Sequence, residues 1–292
     1  MGALLNLLAD RKVLVSDGAW GTMLQARGLT PQQCPEEWNV SHAQDVKSVA
    51  AEYARAGSDL VLTNTFGGSA TKLAKMGFRD KVREFNLAGA RNSLQGAPDA
   101  LIVGSVGPTG DFLQPLGTAT ADEMEAVFCE QIGALLEAGL KVICIETMTA
   151  VEEALAAVRA ARKLDPELDI ITTFTFDATP NGPRTMMGVD PQQVVEELPA
   201  AGANVLGANC GNGIEQMTNI TNEFRKHTNL PILIHANAGL PELVDGRTVF
   251  RQSPEAMAAH TRALLDAGAN IIGGCCGTTP EHITAMKTAL NA

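Results

Sequence analysis

Three cysteines have the setting and spacing from which chemistry can be read. Cys275 and Cys276 are adjacent in I-I-G-G-C-C-G-T-T-P (Ile271–Pro280), and Cys210 lies in N-V-L-G-A-N-C-G-N-G (Asn204–Gly213). In both stretches a short apolar run precedes the thiols and a glycine follows, so each thiol is expected where a strand ends. Three thiols converging from strand ends would form a three-sulfur metal site with one open position. Thiolates select zinc over hard cations. Three of them give the metal a net negative ligand set, a poor Lewis acid toward water, yet a thiol bound at the open position still loses its proton. The outcome is a nucleophilic sulfur at neutral pH, suited to accepting a methyl group rather than to hydrolysis. The competing reading is a closed structural site. Such sites usually draw on C-x2-C pairs, and the 65 residues separating Cys210 from Cys275 speak against it.

Other polar groups stand at the same kind of position: Asp17-Gly18, Asn64-Thr65-Phe66, Ser105, Glu146-Thr147, Asn209 and Asn237 each close an apolar run. The set holds two carboxylates and several neutral groups. A carboxylate at a strand end is as often a cap as a ligand, and no Ser-His-Asp arrangement is present. Asn237 is a candidate fourth metal ligand, its amide oxygen weak enough for a substrate thiolate to displace; a water is the alternative occupant. The glycine-rich stretch Gly107–Leu113 lacks the lysine and G-K-[ST] of a phosphate loop and is expected to be a turn or lid.

The elements that must position these residues recur regularly. Apolar, strand-like runs occur at Val13–Val15, Leu60–Leu62, Leu101–Val103, Val142–Ile145, Ile170–Phe176, Val205–Leu206, Ile232–Ile234 and Ile271–Ile272, with helical patterns between them. That alternation marks parallel strands with crossover helices. Capping signals open the helices: S-x-x-Q at Ser41, T-x-x-E at Thr120, and a cap followed by proline at Asp190-Pro191, Ser253-Pro254 and Thr279-Pro280. Ala-Gly recurs just before the second, fourth, sixth and eighth runs (Gly57, Gly139, Gly202, Gly268), where glycine suits a left-handed helix end. The expectation is a single-domain (β/α)8 TIM barrel over residues 1–292, with all the strand-end groups at its carboxyl rim. Met1–Ala9 is expected to be a short amphipathic helix closing the opposite end. The stretches 27–40, 107–118, 179–188 and 236–252 are expected to be irregular rim loops.

The net charge is −11 and no basic cluster occurs, which excludes nucleic acid and anionic membranes as expected partners. The apolar start is too short to span a bilayer and lacks a basic flank and cleavage site, so a cytoplasmic location is expected. Six cysteines in such a chain favour metal or catalytic use over disulfides. Cys129 and Cys144 are expected to be core thiols, and Cys34 has no convincing partner.

D-G-A-W-G-T (Asp17–Thr22), T-N-T-F (Thr63–Phe66), G-A-N-C-G (Gly207–Gly211) and G-G-C-C-G-T-T-P (Gly273–Pro280) together resemble the homocysteine S-methyltransferase family over Leu14–Leu290, most closely the homocysteine-binding module of cobalamin-dependent methionine synthases. The resemblance implies zinc on Cys210, Cys275 and Cys276 and a methyl group moved to the thiol of homocysteine to give methionine. Carried residue by residue, it implies that Asp17 and Glu146 hold the amino acid's ammonium. The amides of Gly18 and Ala19 would take its carboxylate with Thr65, and Ser105 would stand beside them. The implied donor is a methylcorrinoid (cobalamin) supplied by a partner protein, because no D-x-H-x-x-G corrinoid motif occurs in this chain. Two alternatives are a free-standing methyltransferase using S-methylmethionine, S-adenosylmethionine or a betaine, and a zinc-stabilised amino-acid-binding barrel without turnover. A small cationic donor needs aromatic faces, and only Trp20, Phe66 and Phe174 or Phe176 are placed to offer them at the rim.

Overall fold

The structure, a computed structural model, describes residues 2–244 and 247–291. Met1, Asp245, Gly246 and Ala292, which fall within the expected first helix, the 236–252 loop and the domain's end, lie outside the described residues. Eight parallel strands form one sheet: β1 (Leu14–Val15), β2 (Leu60–Leu62), β3 (Leu101–Val106), β4 (Val142–Met148), β5 (Asp169–Phe174), β6 (Val205–Gly213), β7 (Ile232–Asn237) and β8 (Ile271–Gly274). The ladder runs β1-β8-β7-β6-β5-β4-β3-β2, so only the β1/β2 seam lacks regular pairing. Carboxylates span that seam. Asp59 accepts the Val15 N–H at 2.9 Å and donates its own N–H to Val15 O at 2.7 Å, and Asp17 accepts the Leu62 N–H at 2.8 Å. The fold is the nearly closed α/β barrel that the alternating runs imply.

Side chains from all eight strands fill the interior: Leu14, Leu60, Leu62, Val103, Val142, Cys144, Ile171, Val205, Leu233 and Ile271 pack with Leu4 and Leu8. Each fully buried leucine or isoleucine contributes roughly 1.5–3 kcal/mol. Leu4 and Leu8 belong to α1 (Ala3–Arg11), which stoppers the amino end of the barrel; Asp169 of β5 accepts the Leu4 N–H at 2.7 Å. Cys144 is thus a core thiol, and Cys129 is half-buried against the outer layer of core. Among the described residues no helix is long and apolar enough to cross a membrane.

Several strands continue past the apolar runs that announce them. β3, β4, β6 and β7 extend to take in Ser105, Glu146, Asn209, Cys210 and Asn237. Apolar runs mark only the part of a strand that faces hydrocarbon, whereas the barrel mouth asks for polar groups. The caps at Thr120, Asp190 and Ser253 form as expected, the first as a full capping box with Glu123. Ser41 does not cap. It ends a separate turn (Trp38–Ser41) in which the Trp38 ring stacks on His42, its hydroxyl donates to Glu37, and the long helix starts at Ala43 instead. Two expected irregular stretches contain hairpins, Asp177–Thr179 with Gly182–Arg184 and Glu242–Val244 with Arg247–Val249. The first turns at Pro180-Asn181, and Gly182, with φ +94°, pairs with Thr179 as the second strand begins.

The four Ala-Gly glycines all have left-handed φ, between 96° and 116°. A hook follows three of them. Asp59, Asn204 and Asn270 each stand two residues after the glycine and accept the N–H of Val15, Ile170 or Ile232 on the preceding strand. Lys287, Arg162 and Arg225 respectively reach these same side chains, and the two arginines also bond Gly202 O and Gly268 O. The repeat therefore ties the barrel together at its amino end and leaves the carboxyl rim to the site.

Candidate active site: three thiols beside two buried carboxylates

At the carboxyl rim β6 leaves regular geometry. Cys210 has φ +60° and Gly211 φ +63°, and the register against β7 shifts between Cys210 and Gly213. Left-handed backbone at a non-glycine residue is strained, and here it separates the thiol from the ladder. The Cys275-Cys276-Gly277-Thr278 turn continues from β8. Cys275 N–H bonds Ala236 O at 2.7 Å, Ala238 N–H bonds Cys276 O at 2.9 Å, and Gly277 has φ +81°. Thr278 locks the turn: its hydroxyl donates to Cys275 O at 2.7 Å and accepts the Ala19 N–H at 3.0 Å.

These two turns bring the sulfurs together. Cys210 Sγ lies 2.8 Å from Cys275 Sγ and 3.9 Å from Cys276 Sγ, and the three sulfurs fall within 4.8 Å of one another. Among the described residues no other three Cys, His, Asp or Glu side chains come so close. Tetrahedral ligation with ~2.3 Å metal–sulfur bonds needs sulfurs about 3.8 Å apart. The Cys210–Cys276 pair already meets this, and Cys275 would move out by about 1 Å. The donor set therefore fits a thiophilic metal with one position left open. Hydrogen bonds from the other two thiols lower Cys276 well below the ordinary thiol range, while the same sharing raises Cys275. Of the three sulfurs, Cys276 is the one on which its neighbours favour negative charge.

Beside the thiols lie Asp17 and Glu146, both buried. Asp17 Oδ2 accepts from Leu62 N and from the Trp20 indole N–H, each at 2.8 Å. Burial raises Asp17 to about 7 against the pull of those bonds. Glu146 accepts a short hydrogen bond from the Ser105 hydroxyl. Burial raises it to about 7 as well, with the negative charges of Asp17 and Cys276 adding to the shift. Two carboxyls that are half-protonated near neutrality, with no cation paired to either among the described residues, form a site prepared for a positive charge. Gly18 packs too closely for a side chain: a Cβ there would stand 2.6 Å from Thr278 Oγ1 and 2.9 Å from the Tyr53 hydroxyl.

Residues 14–290 match the sequence profile of the family described as homocysteine S-methyltransferase. The chain belongs to the homocysteine S-methyltransferase family. Curated relatives of this chain include the methionine synthases of Mycobacterium tuberculosis and Mycobacterium leprae, 28% and 29% identical; each alignment covers 98% of this chain and 25% of the relative, so the chain spans about a quarter of their length. Among solved structures, the homocysteine methyltransferase MmuM from Escherichia coli in its metallated form superposes with a TM-score of 0.80 at 23% identity, covering 98% of this chain and 99% of that one. Its apo form gives 0.76 at 24% identity, covering 97% and 98%. These likenesses bear on the fold.

Other expected site residues of this barrel are arranged less simply. The Ala19 N–H is bonded to Thr278, and the Thr65 hydroxyl donates to Ser105 O at 2.7 Å. Asn237 donates through Nδ2 to Gly211 O at 2.9 Å, while its Oδ1 is buried without a hydrogen-bond partner among the described residues. Asn64 turns from the mouth and braces the first loop through Pro35 O and Asn39. Phe174 and Phe176 do not reach the rim. They are fully buried, with Phe176 edge-on to Phe224, because alternation along β5 points Thr173 inward and Phe174 outward. Phe66 is exposed, but Lys72 Nζ sits 4.5 Å above its ring centre. Cys34 is buried away from the trio beside Glu36, and burial pushes its thiol up to about 12. Sequence reasoning overlooked Thr278, Tyr53 and the indole of Trp20. The partners of Thr278 and Tyr53 lie 259 and 34 positions away, beyond any local pattern, whereas Trp20 stands three residues after Asp17 and D-G-A-W carried a local signal for its bond.

Proposed function

We propose that this protein methylates the thiol of homocysteine to give methionine, with zinc held by Cys210, Cys275 and Cys276. The observation carrying the reading is the convergence of three thiols, with a fourth position open, beside two carboxyls whose charge is held back by burial. Once bound by the three sulfurs, zinc would supply the electrophile that keeps a substrate thiol deprotonated at neutral pH. Everything else is the work of the chain. Asp17 and Glu146 lose their protons as the substrate's ammonium arrives between them, since an adjacent cation offsets the burial that keeps them neutral. Ser105 fixes the orientation of Glu146, and Leu62 and Trp20 fix that of Asp17. The loop at Gly18-Ala19, with Thr65, faces the substrate carboxylate, and Ala19 and Thr65 exchange their present bonds for it. Asn237 Oδ1, buried without a hydrogen-bond partner among the described residues, would be the group to hold the metal's open position before homocysteine binds. In-line transfer forms the S–CH3 bond of methionine as the donor's bond to that carbon breaks, the bonding pair leaving with the donor.

The donor is a methylcorrinoid carried by a partner protein. Loops following β3, β5 and β7 expose Phe112, Leu116, Met186, Leu240 and Leu243, an apolar crown suited to a large partner. The aromatic material for a cation cage is thin: Phe174 and Phe176 are buried, a lysine covers Phe66, and the half-buried Trp20 has its indole N–H committed to Asp17. A second reading, a methyltransferase complete in one barrel with a small donor, is favoured by the fold match that spans 99% of MmuM. Homocysteine supplied with methylcobalamin, a methylated corrinoid protein, S-methylmethionine or glycine betaine tests both readings. Methionine formed from none of them would overturn the enzymatic assignment.

A further inference from the structure

Asn209 directly precedes Cys210, is fully buried, and spans three strands with one amide. Its Oδ1 accepts the backbone N–H of Thr147 on β4 at 2.8 Å and the hydroxyl of Thr173 on β5 at 2.7 Å. Its Nδ2 donates to Thr147 Oγ1 at 2.7 Å and approaches Cys275 Sγ at 3.9 Å. Its own carbonyl accepts from Thr175 at 3.1 Å. Both hydrogen-bonding faces of the amide are therefore committed, and one donor is aimed at a sulfur of the trio.

The amide also joins two strained points. Among the described residues only Lys12, Thr147 and Cys210 are non-glycine residues with left-handed φ, at 62°, 63° and 60°. Lys12 ends the first helix; the other two flank the barrel mouth. A β-branched threonine in that region is a genuine outlier, and such conformations persist only where surrounding contacts over-determine them. Each of the two accompanies a break in register, between Ile145 and Met148 on β4 and between Cys210 and Gly213 on β6. Asn209 bonds Thr147 through both backbone and side chain and is covalently joined to Cys210. It acts as a strut across β5 that holds both irregularities in place.

We propose that Asn209 is the positioning residue of the thiol centre. It fixes the turn that aims Cys210 and supplies an N–H hydrogen bond to the sulfur of Cys275, and so sets how tightly the trio holds its metal. The inference rests on the reading that the three thiols bind metal. Three thiolates on one dication carry excess negative charge, and an N–H donor to one sulfur offsets part of it. Groups that orient and bond metal ligands in this way typically alter metal affinity 10–100-fold when removed.

Cobalt(II) titration of the full chain tests this, read by thiolate-to-cobalt charge-transfer absorption, with zinc affinity measured by chelator competition. Asn209→Asp keeps both acceptor bonds of Oδ1 but replaces the donor facing Cys275 with an oxygen. It is expected to weaken zinc about 10–100-fold and to shift the charge-transfer bands. Asn209→Ala is expected to weaken zinc at least as much. Thr147→Val removes only the hydroxyl that anchors Nδ2, at a half-buried position. It gives the reading should the Asn209 variants not fold, with a smaller loss of affinity and a band shift expected. Bands present in the parent and unmoved in every folded variant, with zinc affinity unchanged, overturn the role of Asn209 alone. Absence of thiolate bands in the parent overturns the metal reading and this inference with it.

Discussion

Asp17 Oδ2 accepts the N–H of Leu62 at 2.8 Å across the one barrel seam that lacks a regular ladder. The same carboxylate faces the proposed ammonium position. A residue read from the sequence as a ligand is therefore also a rung of the fold. The two roles separate on substitution. Asp17→Asn keeps an oxygen for Leu62 and Trp20 but removes the charge. It is expected to fold, melt within a few degrees of the parent, and raise KM for homocysteine at least ~10-fold, since a lost charge-assisted bond contributes roughly 1.5–3 kcal/mol. Asp17→Ala orphans the buried Leu62 N–H and the half-buried Trp20 indole and should lose about 2–6 kcal/mol of stability besides, at roughly 1–3 kcal/mol for each. Thermal unfolding and steady-state kinetics on both variants distinguish the roles, and equal stability of the two would remove the rung from the account.

Burial of Asp17 and Glu146 also predicts a pH dependence. Both carboxyls are raised to about 7 from ordinary values of 3.8 and 4.5. The folded state thus binds these protons more tightly than the unfolded chain. Their contribution to stability is complete below about pH 4 and is lost as pH rises to 7. In metal-free protein the parent should gain on the order of a few kcal/mol over an Asp17→Asn/Glu146→Gln double variant between pH 8 and pH 5. Homocysteine affinity should run the other way and strengthen as pH rises through 7, because the ammonium needs ionised partners. Unfolding midpoints of the two proteins that move in parallel with pH would show that these carboxyls are not perturbed.

Much of this architecture is legible in the chain because it rests on local patterns. Strand runs, capping residues and the four Ala-Gly ends each depend on neighbours within a few positions. The cysteines are legible because their residue type restricts what they can do. What escapes reading is long-range pairing. The Thr278–Ala19 bond spans 259 positions, and nothing in T-T-P predicts it. The hooks of Arg162, Arg225 and Lys287 are hidden for the same reason, although Asp59, Asn204 and Asn270 keep a fixed distance from their glycines. Phe174 and Phe176 mislead because an apolar run does not say which of its alternating side chains faces the mouth.

The thiol trio and the barrel should come apart cleanly. The interior is closed by side chains from all eight strands and by α1, and none of those contacts needs a metal. Cys275→Ala is therefore expected to abolish zinc binding and methionine formation while leaving the circular dichroism spectrum and a cooperative melt intact. In the parent, metal analysis should give about one zinc per chain, with sulfur at ~2.3 Å by X-ray absorption. Full activity in Cys275→Ala would refute the assignment.

Asn237 offers a test of how the open position is filled. Its Oδ1 is buried and unpaired among the described residues, and a buried unpaired carbonyl carries a desolvation penalty of roughly 1–3 kcal/mol. Ligation to metal would relieve it. Asn237→Ala is expected to weaken zinc in substrate-free protein but to leave homocysteine binding equal or tighter, since nothing then has to be displaced. X-ray absorption of the zinc-loaded parent should show one oxygen that disappears when homocysteine is added. Unchanged zinc affinity in the variant would assign that oxygen to water.

Donor choice turns on Lys72 and Phe66. Lys72 leans over the ring at 4.5 Å, and burial lowers its pKa while Glu36 acts in the opposite sense to favour its charge. A sulfonium or quaternary ammonium entering from the rim would meet a Phe66 face already taken by a cation, with Phe174 and Phe176 buried and Trp20 left as the aromatic beside Asp17. A corrinoid is not excluded by this arrangement, because it docks over the rim rather than into a cage. The wild-type protein is therefore expected to use a methylated corrinoid protein in preference to S-methylmethionine or glycine betaine. Lys72→Met frees the ring without adding charge and should raise S-methylmethionine turnover several-fold, in keeping with the ~0.5–2 kcal/mol typical of a cation–π contact. Corrinoid-dependent turnover should hold. Efficient use of either small donor by the wild type, with none from the corrinoid, would transfer the argument to the second reading, in which one barrel completes the reaction alone.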